Sequence, residues 1–223
     1  MKPYYQHAGI TIYHGDCREL LPGLAYDWIA TDPPYGINHP TDYSARGRDK
    51  PKKGTTRNIL SRNYAPVFGD DKPFNPSWLL ATGKPLLLWG ANHYADKLPA
   101  TSGWLVWDKE RPHELDQASV ELAWTNYVKG ARIFRHLWNG MQRASQDPIN
   151  HPTQKPEALH RWCFSLRWCP DGIVADPYMG SGSLLRAAKD TGRQAVGIEM
   201  EERYCEVAAR RLSQEVFALE GVA

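Results

Sequence analysis

Asp32-Pro33-Pro34-Tyr35 sets a carboxylate, two stiffened peptide units and an aromatic ring within four residues. Two consecutive prolines fix φ and remove two amide donors, so the Asp32 carboxylate and the Pro33 carbonyl remain as local acceptors with little freedom to move. A planar exocyclic NH2 could donate to both while Tyr35 supports the ring that carries it. The plainer alternative is that Pro-Pro ends a strand and Tyr35 covers a core edge. A second cluster, Asp176-Pro177-Tyr178-Met179-Gly180-Ser181-Gly182-Ser183, offers glycines where a ligand can approach backbone that a Cβ would obstruct. Glu199 follows Gly182 by 17 residues, close to the roughly 20 at which an acid accepts from ribose hydroxyls after a glycine loop. The third glycine of a dinucleotide fingerprint is replaced by Leu185. Close pyrophosphate packing on the helix is therefore not supported, and a nicotinamide cofactor falls behind. Read singly, Asp176 and Glu199 are also ordinary strand-end helix caps.

The elements that must position these groups alternate along the chain. Asp27 to Thr31 has the length and composition of a buried strand, which puts Asp32 at the strand's C-terminal end, where open α/β sheets bind ligands. Gly9 to His14 reads as a strand stopped at Gly15-Asp16, and Cys17 to Leu24 as a short helix. Pro85 to Trp89, Trp104 to Trp107 and Val120 to Trp124 are apolar runs of the kind covered on both faces. Pro156 opens a helix with Leu159, Trp162, Cys163 and Leu166 on one face. Then come a strand Ile173 to Asp176, the glycine loop, a helix Ser183 to Asp190, a strand Gln194 to Glu199, and a helix burying Tyr204, Val207, Ala208 and Leu212. This order implies an α/β three-layer sandwich on a mainly parallel sheet, as one domain over residues 1–223.

Composition bounds the function. The 42% hydrophobic and 11% aromatic content of the 223 residues belongs to a folded protein, and nine tryptophans are a high count for this length, some of them core, though aromatics are also what stacks unpaired bases. No run approaches the roughly 18 to 20 apolar residues of a membrane span, and the N-terminus lacks a signal-peptide core, so the expected location is cytoplasmic, with no membrane partner. Cys17, Cys163, Cys169 and Cys205 have neither zinc spacing nor a CxxC pair and read as reduced thiols, and no metal is expected. The formal charge is only +2, yet Thr41 to Asn63 carries seven bases (Arg46, Arg48, Lys50, Lys52, Lys53, Arg57, Arg62) against Asp42 and Asp49. That excursion, at about 41–63, suits phosphate contact, though a solvated loop has the same composition. A second basic stretch at about 127–150, with Lys129, Arg132, Arg135 and Arg143, is a possible small recognition element.

The two clusters together resemble the catalytic and cofactor motifs of the S-adenosylmethionine-dependent DNA amino-methyltransferases, the N6-adenine and N4-cytosine family. His151-Pro152-Thr153-Gln154-Lys155-Pro156 is similar to a further motif that precedes the glycine loop in that family. The catalytic turn stands before the glycine loop, which resembles the circularly permuted β-type order. The resemblance implies a Rossmann-like methyltransferase sheet of seven strands, one of them antiparallel. It implies a flipped base stacked on Tyr35, its amino group held by Asp32 and the Pro33 carbonyl beside Pro34. It further implies cofactor contacts from Asp16 (adenine), Glu199 (ribose), Asp176 (methionine amine) and Thr153 and Lys155 (carboxylate), with Tyr178, Gly180, Ser181 and Gly182 forming the loop. Arg46, Arg48, Lys52, Lys53, Arg57 and Lys109 are candidate DNA contacts. His151 reads as structural, and Lys155 also reads as a solvated helix-entry lysine.

These readings make the leading expectation a site-directed DNA methyltransferase acting on adenine N6, monomeric or homodimeric, within a restriction-modification system or solitary. Aspartate at the head of the tetrapeptide favours adenine in the family, with N4-cytosine the same-class alternative. An RNA or protein amide methyltransferase and a non-enzymatic cofactor or nucleic-acid binding module are the others.

Overall fold

The computed structural model describes residues 1–41, 66–111, 118–139, 142–145, 151 and 153–214. Nine strands form one sheet: β1 (Tyr5–His7), β2 (Ile10–His14), β3 (Trp28–Thr31), β4 (Leu86–Trp89), β5 (Trp104–Asp108), β6 (Val120–Thr125), β7 (Ala131–Arg135), β10 (Val174–Asp176) and β11 (Ala195–Glu199). Their order is β1-β2-β11-β10-β3-β4-β6-β5-β7, and β8 (Trp138–Asn139) with β9 (Gln142–Arg143) makes a separate hairpin. From β2 to β4 every neighbour is parallel, whereas β6 runs antiparallel to both β4 and β5. The seven strands from β2 to β5 are thus the expected mainly parallel sheet with one reversed strand. The expected count of seven is corrected by two edge strands, β1 antiparallel to β2 and β7 parallel to β5. Neither could be read locally: β1 has three residues and burial pattern intermediate-exposed-exposed, and β7 alternates exposed and half-buried side chains at the rim of the sheet.

The apolar runs work as two-faced strands. Leu87 and Trp89 point into one core with Trp28 and Ala30, and Leu86 and Leu88 into the other with Ile29. The first core is closed by α3 (Glu157–Ser165), α4 (Ser183–Asp190) and α5 (Glu202–Ser213). The second is closed by α1 (Cys17–Leu20) and α2 (Ser77–Leu80). Each fully buried Leu or Ile contributes about 1.5–3 kcal/mol, so the doubly covered β3 and β4 form the most firmly held ground under Asp32. In α5 the buried face runs through Tyr204, Cys205, Ala208 and Leu212, and Val207, expected there, is only half-buried. All four cysteines are free thiols. No helix among the described residues is long and apolar enough to cross a membrane.

Candidate active site

The sheet brings the two clusters side by side because β3 and β10 are direct parallel neighbours, Trp28 opposite Val174 and Ile29 opposite Ala175. Asp32 leaves β3 at the same sheet edge at which Asp176 ends β10 and Glu199 ends β11. The Thr31 hydroxyl donates to Asp176 Oδ1 at 2.7 Å, joining the two clusters directly. All three acids line one cavity of about 1650 Å³, along with Asp16, Pro33, Pro34, Tyr35, Lys109, Thr153, Lys155, Tyr178, Gly180 and Ser181. Gly182 does not line it. Its φ of +74° favours glycine, and a Cβ there would stand 2.8 Å from the Ala208 Cβ, so its role is to let α5 approach the loop. The basic residues Arg46, Arg48, Lys52, Lys53 and Arg57 lie outside the described residues.

At the glycine-loop end the carboxylates are held by backbone. Glu199 accepts from Gly180 N at 3.0 Å and Glu201 N at 2.8 Å, which fixes both oxygens at the cavity wall. Burial pushes its carboxyl above the ordinary glutamate range. Asp176, which also accepts from Tyr178 N at 3.2 Å, is pushed by burial up to about 7 despite the bonds from Thr31 and Tyr178. Asp16 caps α1 by accepting from Arg18 N at 2.8 Å. The loop is braced from behind: Ser181 Oγ donates to Gln154 Oε1 at 2.8 Å, and Arg211 donates to the Ser181 carbonyl at 3.2 Å while pairing with Glu157 at 2.7 Å. His151 packs on Tyr204 with ring centroids 4.5 Å apart, and its Nδ1 lies 3.3 Å from Thr153 N, which donates to it. Burial holds that imidazole down to about 4, so it is neutral at physiological pH, in keeping with a structural part.

At the catalytic-turn end, Tyr35 donates its hydroxyl to Asp32 Oδ1 and its ring stacks on His93, centroids 4.9 Å apart and 14° between planes. Gly90 makes this possible: a Cβ at that position, φ +69°, would sit 1.9 Å from a Tyr35 ring carbon. Tyr94 is pinned beside it by donating to the Trp89 carbonyl at 2.5 Å. The Lys155 ammonium forms an ion pair with Asp32 Oδ2 and stands 3.0 Å from the Tyr35 hydroxyl and 3.1 Å from Glu121 Oε2. It is 5.6 Å from the Tyr35 centroid, so it lies off the hydroxyl edge and not over the ring face. With 4% side-chain exposure it is not the solvated lysine of the plainer sequence reading. It sits at the Asp32 turn, among Asp32, Tyr35 and Glu121. Lys109 is likewise drawn inward, 2.5 Å from Glu121 Oε1.

The charges set one another. Burial raises the Asp32 carboxyl above its usual range, opposed by Lys155 and reinforced by Glu121. For Glu121 burial acts upward too, but two ammoniums, Lys155 and Lys109, hold it down to about 2. Burial would lower Lys155, yet the two carboxylates raise it above an ordinary lysine, so it stays charged. Sequence reasoning missed Glu121, His93 and Tyr94. A lone acid inside the apolar run Val120 to Trp124 was the one available signal for Glu121, since a charge is seldom buried without a partner.

The chain matches the profile of the DNA methylase family, covering N6 and N4 enzymes, over residues 69–210. It is 26% identical over 261 aligned residues to the Type II methyltransferase M.ScaI of Streptomyces caespitosus, covering 98% of this chain and 86% of the relative. It is 23% identical to the Type II methyltransferase M2.LlaDCHI of Lactococcus lactis subsp. cremoris, covering 96% and 93%. Among solved structures it is similar to the M1.HpyAVI-SAM complex, with TM-score 0.54 and 22% identity over 91% of this chain and 100% of that one. It is also similar to the PvuII cytosine-N4-specific DNA methyltransferase, with TM-score 0.62 and 14% identity over 97% and 91%. At these identities the solved structures establish a shared fold.

Proposed function

We propose, from the premise that this chain belongs to the DNA methylase family, that it transfers a methyl group from S-adenosylmethionine to the exocyclic N6 of adenine in DNA. The observation that supports this reading is the single cavity lined both by the Asp32 turn and by the acids of the glycine-loop end. The donor set fits the cofactor. Asp16, Asp176 and Glu199 are acceptors suited in turn to an adenine amine, an ammonium and a ribose diol, and Gly180, φ +50°, faces the cavity without a side chain. Tyr178, Ser181 and Thr153 would complete its walls. When bound, S-adenosylmethionine supplies a methyl group carried on a sulfonium.

The chain's residues orient the acceptor. A target base has to leave its duplex stack for the amino nitrogen to reach so enclosed a site. Tyr35 would carry the base on the face away from His93, since His93 already covers the other. Asp32 and the Pro33 carbonyl would accept the two amino hydrogens, directing the nitrogen lone pair at the methyl carbon, while Pro34 stiffens the turn. Positioning and fixed acceptors around the charge that develops on nitrogen supply the rate gain, with no covalent enzyme intermediate. In the family that the tetrapeptide resembles, aspartate at its head is commoner where adenine is the target, and this supports adenine over cytosine.

The test is to incubate the protein with unmethylated DNA and methyl-labelled cofactor, digest to nucleosides and identify them by mass spectrometry. Labelled N6-methyldeoxyadenosine is expected. Label only in N4-methyldeoxycytidine would overturn the adenine assignment, and label in neither, with transfer to RNA or protein instead, would overturn the DNA reading.

A further inference from the structure

The Asp32 carboxylate has both oxygens occupied by the protein's own donors, Tyr35 Oη on Oδ1 and Lys155 Nζ on Oδ2. A substrate amino group that is to donate to Asp32 therefore meets two oxygens that each already hold one donor, Oδ2 a cation in direct contact. The two occupants differ in what else they can reach. The Lys155 ammonium has three donors, and besides Asp32 it faces Glu121 Oε2 at 3.1 Å and Tyr35 Oη at 3.0 Å. Glu121 is a fully charged alternative anchor and is itself held, since its other oxygen pairs with Lys109. Acids and bases thus alternate as Asp32, Lys155, Glu121, Lys109, contributed by the ends of β3 and β5, by β6, and by the segment before α3.

We propose that Lys155 is a positioning residue for methyl transfer, which keeps Asp32 ionised until an exocyclic amine arrives and then passes to Glu121, freeing Asp32 Oδ2 for that amine. Lys109 serves by keeping Glu121 fixed as the receiver. The inference rests on the reading of Asp32 as the acceptor of the base amino group. It explains a feature that reading leaves over, a second buried carboxylate that carries no part in binding either ligand. Glu121 also accounts for the inward turn of Lys109. The charged and titratable groups facing Asp32 are Tyr35 on its own turn, Tyr94 after β4, Glu121 on β6, Lys155 before α3 and Asp176 on β10, while Lys109 and Arg111 at the end of β5 act on Glu121 and His93 stacks on Tyr35.

Two substitutions then act in opposite directions on the Asp32 carboxyl. Lys155→Met removes the cation and leaves Glu121 as a like charge, which moves the acidic limb of the pH–rate profile upward. Glu121→Gln removes the like charge, which moves the limb downward, but it also weakens the receiver, so the plateau rate falls. The experiment is single-turnover transfer to a duplex oligonucleotide from about pH 5 to 9 at saturating S-adenosylmethionine, so that cofactor affinity drops out, with cofactor dissociation constants and thermal melts measured in parallel. Expected are an upward displacement of roughly one pH unit or more for Lys155→Met, and for Glu121→Gln a downward displacement with a plateau about tenfold lower. Cofactor affinity stays within about twofold in both. A part confined to folding would lower the melting temperature and leave both limbs in place. Unmoved limbs, or a wild-type plateau in Glu121→Gln, would overturn the proposal; should Lys155→Met fail to fold, Glu121→Gln decides alone. Asp32→Ala, which removes the acceptor, separates the two levels. If it retains wild-type transfer, the amine-acceptor reading itself fails, whereas loss of transfer in Asp32→Ala with unmoved limbs in the other two overturns this proposal only.

Discussion

Asp176 makes cofactor binding depend on pH in a range where an exposed aspartate would show no dependence. Its carboxyl is pushed by burial up to about 7, whereas an ordinary one titrates at about 3.9. If it holds the methionine ammonium, only the ionised form binds well. Lowering the pH from 7.0 to 5.5 takes the ionised fraction from about one half to about 3%, a loss of about 16-fold. The ligand amine, with an ordinary pKa of about 7.7–8.0, becomes slightly more protonated over the same interval, which reduces the net loss to about 14-fold, or about 1.6 kcal/mol. Isothermal titration of S-adenosylmethionine at constant ionic strength measures this directly. Asp176→Asn binds more weakly at pH 7 and shows no slope, which separates Asp176 from Glu199. The stability of the ligand-free protein supplies a second readout. Because the folded pKa lies above the unfolded one, the contribution of this group is fully present below about 3.9 and is lost as pH rises through about 7. At pH 8 the buried carboxylate destabilises the free protein by up to about 4 kcal/mol, so Asp176→Asn melts higher at pH 8 and the advantage disappears by pH 4. Wild-type affinity that stays level or rises from pH 7.0 to 5.5, or a slope that survives Asp176→Asn, would refute the reasoning.

Three further outcomes follow from the packing. Gly90→Ala forces a Cβ into the Tyr35 ring from a left-handed backbone position; it should destabilise the fold by about 1–3 kcal/mol and cut transfer strongly while cofactor affinity is kept, checked by melting and single-turnover assay. His93→Ala removes a stacked partner worth about 0.5–1.5 kcal/mol, so transfer should slow by up to about tenfold with little change in melting temperature, and an unchanged rate would show that Tyr35 holds itself in place. Arg211→Met leaves Glu157 paired with the more exposed Arg161, 3.4 Å away, and the Ser181 carbonyl without a donor; chemical denaturation should register a loss of about 1–3 kcal/mol, with weaker cofactor binding.

The segment from Pro156 to Leu212 was legible because its elements are long enough to carry a period, and its caps, Pro156 and the glycines, stand next to what they terminate. The strand runs near Trp28, Leu87 and Leu105 were legible for the same reason in shorter form: apolar on both faces, they had one place to go. What escaped was decided by partners distant in sequence. β7 and the β8–β9 hairpin draw their order from the rim of the sheet and not from their own composition. His93 is one of eight histidines, and its value arises only from Tyr35, 58 positions earlier, meeting it across Gly90. Lys155 was recognisable as a motif residue, but which carboxylates it would meet depended on β6 being inserted, reversed, between β4 and β5.

Thr31 is a small side chain with two allegiances. Its hydroxyl belongs to Asp176 and its carbonyl opens the peptide that carries Asp32. The protein path between the glycine-loop end of the cavity and the Asp32 turn is therefore a single residue in a strand buried on both faces. If both ends are occupied at once, any linkage between them must be equal in both directions, and among the described residues the bond from Thr31 to the Asp176 carboxylate is one direct route for it.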